Sequence, residues 1–201
     1  MLLDQEDVIL IHMGKNCLVA LGSNQEWEGN TPADLVLRSI SELVKYDLKI
    51  IKASRLFKTP SFPKGAGPDF VNAALMINTK IAPDQLLLIF HELEANSGRV
   101  RQKRWGSRTL DMDLLSYGDL VLPDQCTFKK WRSLDADMQQ RCVPEHLILP
   151  HPILQERAFV LGPLMDVAPE WRHPALEKTV EEMFFSLPVS QRDELEVMSL
   201  K

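Results

Sequence analysis

Cysteine is scarce in this chain: Cys17, Cys126 and Cys142 are odd in number and share no metal-ligand spacing. That excludes a disulfide framework and fits a reducing, cytoplasmic setting. No apolar run approaches the roughly 20 residues needed to span a bilayer. The N-terminus, Met-Leu-Leu-Asp-Gln-Glu-Asp, is acidic, and the apolar run Val8 to Ile11 is too short for a secretory signal. Repeats and low-complexity tracts are absent as well, which removes solenoid and linker-like architectures. Positive charge is not in excess either: 23 Lys and Arg against 28 Asp and Glu leave a net charge of −5. Such a balance argues against general nucleic-acid or acidic-membrane binding, and no nucleic acid or membrane is expected as a partner.

What is present suits one globular domain. The 201 residues are 45% hydrophobic and 25% charged, enough for a sizeable core. Residues 1–15 read as an N-terminal extension, and 16–201 as a single domain. Leu18 to Leu21 is a buried strand that breaks at Gly22-Ser23-Asn24. Thr31-Pro32 supplies an N-cap and an N1 proline for a helix over 32–46. Lys49 to Lys58 reads as one strand, followed by a Pro- and Gly-rich loop over 59–68. Phe70 to Thr79 is a strand expected to pair back across that loop. Pro83 opens a second helix that Gly98 closes, and Asp111 to Tyr117 is a strand stopping at Gly118. The order β-α-β-β-α-β is the ferredoxin-like split βαβ arrangement of an α+β fold: an antiparallel sheet with helices on one face, the other left free to build a site.

Residues 123–148 differ in character. They are polar, carry two cysteines and Trp131, and read as an insertion that is helical around Phe128 to Arg141. Trp131 is expected to cover apolar surface there. The main domain resumes at Pro150-His151-Pro152, with a strand and turn over Arg157 to Val167. Leu176, Val180, Met183, Phe184 and Leu187 then mark a C-terminal amphipathic helix.

The chemistry concentrates between Gly98 and Asp113. Arg99, Arg101, Lys103, Arg104 and Arg108 place five positive charges in ten residues, and Asp111 and Asp113 follow at once. In a strand, residues i and i+2 share a face, so both carboxylates point one way while Leu110, Met112 and Leu114 point into a core. Two carboxylates on one face suit Mg²⁺, which takes one or two of them together with substrate phosphates. Arginines add forked donors for phosphate oxygens. Either half alone is ordinarily a solvated face or turn chemistry. Their conjunction, with only Thr109 and Leu110 between them, favours phosphoryl-type transfer from a nucleotide.

Several motifs in order carry a family resemblance. They are Ala20-Leu21-Gly22-Ser23-Asn24, Phe57-Lys58-Thr59-Pro60, Pro68-Asp69-Phe70-Val71-Asn72-Ala73-Ala74 and Gly98-Arg99-Val100-Arg101. Arg104-Trp105-Gly106-Ser107-Arg108-Thr109-Leu110-Asp111-Met112-Asp113 follows, then Pro150-His151-Pro152 and Arg157-Ala158-Phe159-Val160-Leu161. From about Cys17 to Pro169 the chain resembles the 6-hydroxymethyl-7,8-dihydropterin pyrophosphokinases of folate biosynthesis. The resemblance implies transfer of the pyrophosphoryl unit of ATP to the hydroxymethyl oxygen of the pterin, with AMP released. It also implies ATP as co-substrate, two Mg²⁺ ions and a cytoplasmic monomer.

Carried over by position, Asp111 and Asp113 resemble the Mg²⁺ ligands, and Arg99 and Arg108 the arginines that hold the triphosphate and the transition state. Glu94 resembles a carboxylate on the ribose. Arg101, Trp105, Leu114, His151 and Arg157 fall on the nucleotide side. Gly22, Thr59, Pro60, Phe62, Phe70, Asn72 and Phe159 fall on the pterin side, with Trp105 closing over it. These residue types agree with the roles: phenylalanines can stack on a flat heteroaromatic, and an asparagine amide offers donor and acceptor to its amide-like edge. Ser107 stands where the family usually has proline. The segment 145–149 lacks a basic residue and a threonine found in some relatives, although His146 could partly substitute. Two other classes compete. One is a single-strand RNA-binding module, which shares the topology but needs a pattern of aromatics absent here. The other is an inactive nucleotide sensor, against which the retained aspartates and arginines count.

Overall fold

Three strands buried along most of their length organise the molecule. β1 (Lys15–Ser23) and β4 (Phe70–Thr79) pair antiparallel along their whole length, from Lys15 opposite Thr79 to Ser23 opposite Val71. β5 (Asp111–Tyr117) lies antiparallel on the other side of β1. β2 (Leu48–Ala53) and β3 (Phe57–Thr59) both pair with the far edge of β4, and β6 (Glu196–Val197) extends β3. The order is therefore β5-β1-β4-β3-β6, with β2 also on β4. These pairings belong to a computed structural model that describes residues 14–61, 65, 67–99 and 108–199.

The expected strand over 49–58 divides in two. Ser54 leaves the ladder between the halves, its N–H donating to Ala74 O at 2.9 Å and its Oγ accepting from Ala74 N at 2.8 Å. Side-chain competition of this kind ends a strand without a Gly or Pro to announce it.

Two helices fill the crossovers on one face of the sheet. α1 (Pro32–Leu43) begins at a capping box in which Thr31 and Asp34 exchange bonds, and α2 (Pro83–Asn96) begins at a proline and ends before Gly98. Their buried Val36, Leu43, Leu86 and Phe90 meet the sheet, with Val19, Leu21, Ala73, Leu75, Met112 and Leu114 among the residues of its inner face. Each such large side chain contributes roughly 1.5–3 kcal/mol on burial.

The opposite face is only half open. Leu18, Ala74 and Leu115 pack there against α5 (Ala158–Val167) and α6 (Val180–Ser186). The segment read as strand and turn over Arg157 to Val167 is thus a helix. Its residues are apolar apart from Asp166 and it contains Gly162-Pro163, so periodicity carried no helical signal and the dipeptide read as a breaker. The C-terminal amphipathic segment begins later than Leu176, at the Thr179–Glu182 capping box, and a further turn, α7 (Val189–Arg192), follows. Residues 123–148 form α3 (Gln125–Arg132) and α4 (Ala136–Arg141). That excursion leaves and returns at one point, where Leu122 and Leu149 exchange backbone bonds of 2.8 and 3.2 Å. Among the described residues, no helix is long and apolar enough to cross a membrane.

Candidate active site

The open half of the outer face carries a row of four residues across four strands. Asp111 on β5 stands opposite Gly22 on β1, Gly22 opposite Asn72 on β4, and Asn72 opposite Phe57 on β3. Cross-strand partners share a face, and neighbouring strands lie about 4.8 Å apart. The carboxylate and the carboxamide are therefore roughly 10 Å apart across a residue without a side chain. A Cβ on Gly22 would meet Asn72 Oδ1 at 3.1 Å and Phe70 Cδ1 at 3.8 Å, so only glycine leaves this floor open. Asp113 lies two residues along β5 from Asp111 on the same side, while Leu110, Met112 and Leu114 are buried in the inner core as their alternation requires.

Asp111 sits inside an ion network. Its Oδ1 lies 2.5 Å from Arg99 Nη1, and its Oδ2 pairs with Arg108. Arg99 pairs as well with Glu94 on α2. Glu94 is 2% exposed, and its Oε1 also accepts the Met112 N–H at 2.9 Å. The carboxylate expected to face a ribose is thus tucked against the edge strand, where it fixes Arg99 and ties α2 to β5. Arg157 lies within electrostatic reach of both aspartates. Burial pulls its guanidinium below the usual range, and Asp113 and then Asp111 act against that pull. Among the described residues no trio of His, Cys, Asp or Glu converges as a closed metal cage. Two adjacent carboxylates without a third protein ligand fit a hard divalent cation that takes its remaining oxygens from phosphates and water.

His151 is pinned to the same strand, its N–H donating to Leu115 O at 2.8 Å. Its Nδ1 accepts from Ile153 N at 3.4 Å, and burial, helped by Arg157, pushes its pKa down to about 3. The ring is therefore neutral at pH 7, with Nε2–H as a donor. Around the outer edge of β5 runs an open cleft of about 1070 Å³, to which Glu94, Arg99, Arg108, Asp111, Asp113, Leu114, His151 and Arg157 all contribute. Every described residue expected on the nucleotide side lines it.

The residues expected on the pterin side cluster around Asn72. Its Nδ2 donates to Thr59 Oγ1 at 2.8 Å in a buried pair, which orients the amide. Thr59 stands opposite Phe70, and Pro60 follows it at the end of β3. Phe159 opens α5 on the same side of the sheet, 39% exposed and with Arg157 Cζ 5.6 Å from its ring centre. Phe62, Arg101 and Trp105 lie outside the described residues.

Two residues given no role by sequence reasoning hold this arrangement. Asn24 is buried and clamps two loops: its Oδ1 accepts Arg108 N at 2.8 Å, its N–H donates to Arg108 O at 3.0 Å, and its Nδ2 donates to Pro68 O at 3.1 Å. The signal was an asparagine directly after a buried strand, which reads equally well as turn chemistry. Trp27 lies on Gly98, whose φ of +74 belongs to the left-handed region. A Cβ there would come within 2.3 Å of the indole.

Several known proteins of similar sequence carry the same description. A 2-amino-4-hydroxy-6-hydroxymethyldihydropteridine pyrophosphokinase of Haemophilus influenzae is 33% identical over 153 residues, 75% of this chain and 79% of its own. One from Pseudomonas aeruginosa is 34% identical, over 78% of this chain and 82% of its own. One from Synechocystis is 35% identical over 65% of this chain, which spans only 53% of that relative's length. A Plasmodium falciparum HPPK-DHPS structure with pteroate overlays with a TM-score of 0.62 at 15% identity, covering 92% of this chain and 47% of that one. An HPPK-DHPS in complex with substrates gives 0.61 at 14%, covering 87% and 43%. At those identities the structures speak for the fold alone. Residues 18–169 match the model of a single family, and the chain belongs to it: the 7,8-dihydro-6-hydroxymethylpterin-pyrophosphokinases.

Proposed function

We propose that this chain transfers the pyrophosphoryl group of ATP to the hydroxymethyl oxygen of 6-hydroxymethyl-7,8-dihydropterin, giving AMP and the pterin diphosphate. The observation that carries the reading is the row Asp111–Gly22–Asn72, which sets a carboxylate–arginine cluster one open strand away from an oriented amide flanked by Phe70. Asn72, steadied by Thr59, presents its carboxamide to the pterin edge, and Phe70 and Phe159 offer ring faces on that side. The hydroxymethyl arm then extends over Gly22 toward the aspartates.

There the hydroxyl oxygen attacks the β-phosphorus, the bond from that phosphorus to the α,β-bridging oxygen breaks, and AMP departs while the hydroxyl proton is lost. Arg99 and Arg108 turn from Asp111 to the phosphate oxygens, where their charge counts most as the bridging oxygen becomes anionic. Asp111 and Asp113 would hold two Mg²⁺, which supply charge neutralisation and in-line alignment of attacking and leaving oxygens. Three carboxylates already face three guanidiniums here, so ATP arriving with two divalent cations adds almost no net charge. Neutral His151 donates from Nε2 to a phosphate oxygen, and Arg157 faces the same side. Glu94 acts by positioning Arg99. In this reading the chain is a cytoplasmic monomer in which residues 123–148 are an insertion.

A Mg²⁺-dependent assay that resolves AMP from ADP tests the proposal. AMP formed in step with a pterin diphosphate is the expected result. ADP would mean single phosphoryl transfer, and no turnover with intact ATP binding would mean a sensor.

A further inference from the structure

The cleft along β5 is lined by two kinds of residue: the charged Arg99, Arg108 and Asp111, and, from the 123–148 excursion, the apolar Trp131, Val143 and Leu147. A nucleotide combines the same two characters, a charged phosphate chain and a flat heteroaromatic base. At about 1070 Å³ the cleft exceeds the few hundred Å³ that a small polyanion alone would fill.

The excursion is held as a wall. It is closed at its base by the Leu122–Leu149 pair. Asp124 caps α3 by accepting from Cys126 N at 2.8 Å and from Thr127 N at 2.9 Å. Phe128, on the next turn, is fully buried, with its ring centre 5.5 Å from that of His173 in the body of the domain. Trp131 stands three residues on, so it projects from the same side of α3 as Phe128 rather than toward open solvent. It is half-buried and faces the cleft, where sequence reasoning expected it only to cover local apolar surface.

We infer that Trp131 is the stacking platform for the purine base of the bound nucleotide, which makes the 123–148 excursion a part of substrate recognition. This rests on the nucleotide-binding reading above. Anchoring by Phe128 limits the reorganisation needed on binding, and an indole is a large, rigid face for a base.

The experiment compares wild type with Trp131→Leu and Trp131→Phe, using Mg-ATP and inorganic tripolyphosphate, which has the phosphates without the base. Trp131→Leu should weaken ATP binding roughly tenfold and leave tripolyphosphate binding and the pterin KM unchanged. Trp131→Phe should retain most of the ATP affinity but lose part of the indole quenching that ATP, and not tripolyphosphate, causes in the wild type, the remainder coming from other tryptophans near the nucleotide, Trp27 of the cleft lining among them. ATP affinity unchanged in Trp131→Leu, or equal losses for both ligands, would overturn the inference. Should Trp131→Leu fail to fold, ATP quenching in Trp131→Phe equal to that of the wild type overturns it equally. Failure of the underlying reading looks different: the wild-type chain would bind neither ligand and release no AMP, and this inference would fall with it.

Discussion

Arg99 Nη1 lies 2.5 Å from Asp111 Oδ1 while Glu94 holds the same guanidinium from α2. Asp111 is thus not a bare carboxylate beside Asp113: arginines screen it. Among the described residues Asp113 has no comparable shell of ion pairs, which makes it the place to test the metal role. Asp113→Ala should lower kcat by about 10³-fold or more and move the thermal midpoint by less than about 3 °C, because no core group is removed. A kcat near wild type at saturating Mg²⁺ would rule out the assignment.

Arg108 meets Asp111 now and the triphosphate in the proposed reaction. Arg108→Ala should reduce kcat by about 10²-fold and weaken ATP binding only a few-fold, as expected of a contact that strengthens in the transition state. Its backbone stays clamped by Asn24 in the variant. Steady-state kinetics beside direct ATP binding separates the two effects, and a change confined to the ATP Kd would assign Arg108 to ground-state binding.

Asn24→Ala removes both side-chain bonds that join the Arg108 and Pro68 loops. Because a buried donor and acceptor lose their partner, urea unfolding should report a loss of about 1–3 kcal/mol. kcat should fall with it, since Arg108 is released. Stability lost with kcat intact would show a clamp without influence on the site.

Gly98 combines a left-handed backbone with the Trp27 ring packed against it. Gly98→Ala should cost at least about 1 kcal/mol and push the indole toward solvent. The checks are urea unfolding and a red shift of tryptophan emission; unchanged emission would contradict the packing.

His173 gives stability a pH dependence. It is fully buried between Phe128 and Trp171, its Nδ1 accepts from Ala175 N at 3.1 Å and Leu176 N at 3.3 Å, and burial pushes its pKa down to about 4. The unfolded chain takes up this proton near the usual value of about 6.5 and the folded chain does not. Stability from this group is therefore full above about pH 6.5 and declines as pH falls toward 4, by about 3 kcal/mol in all. Denaturation midpoints measured across that range should slope downward in the wild type and less steeply in His173→Phe, where His151, also pushed down by burial, still contributes. Equal slopes would place the acid sensitivity elsewhere.

The strands β1, β4 and β5 and the aspartate pair were legible because apolar runs bounded by turn signals and i, i+2 spacing are local properties. Residues from separate motifs come together in space: Gly22, Thr59, Phe70 and Asn72 meet, as do Arg99, Arg108 and Asp111. Helix α5 was hidden by its near-uniform apolarity, broken only by Asp166, which leaves no polar period to read. Glu94 shows a different limit. That its carboxylate turns under Met112 instead of outward depends on how α2 docks on an edge strand about eighteen residues away in sequence. Trp131 likewise acquires its place only through Phe128 meeting His173, a contact no local pattern encodes.

β5 is the outermost strand of the sheet on its side, and such a strand normally offers unpaired amides and carbonyls to any passing chain. Here Glu94 takes the Met112 amide and His151 takes the Leu115 carbonyl. The groups that line the cleft therefore also blunt a sticky edge. Loss of the Glu94 carboxylate would bare the Met112 amide and be felt as association between molecules, whereas the Leu115 carbonyl, capped by the His151 backbone, would stay covered after a change of the His151 side chain.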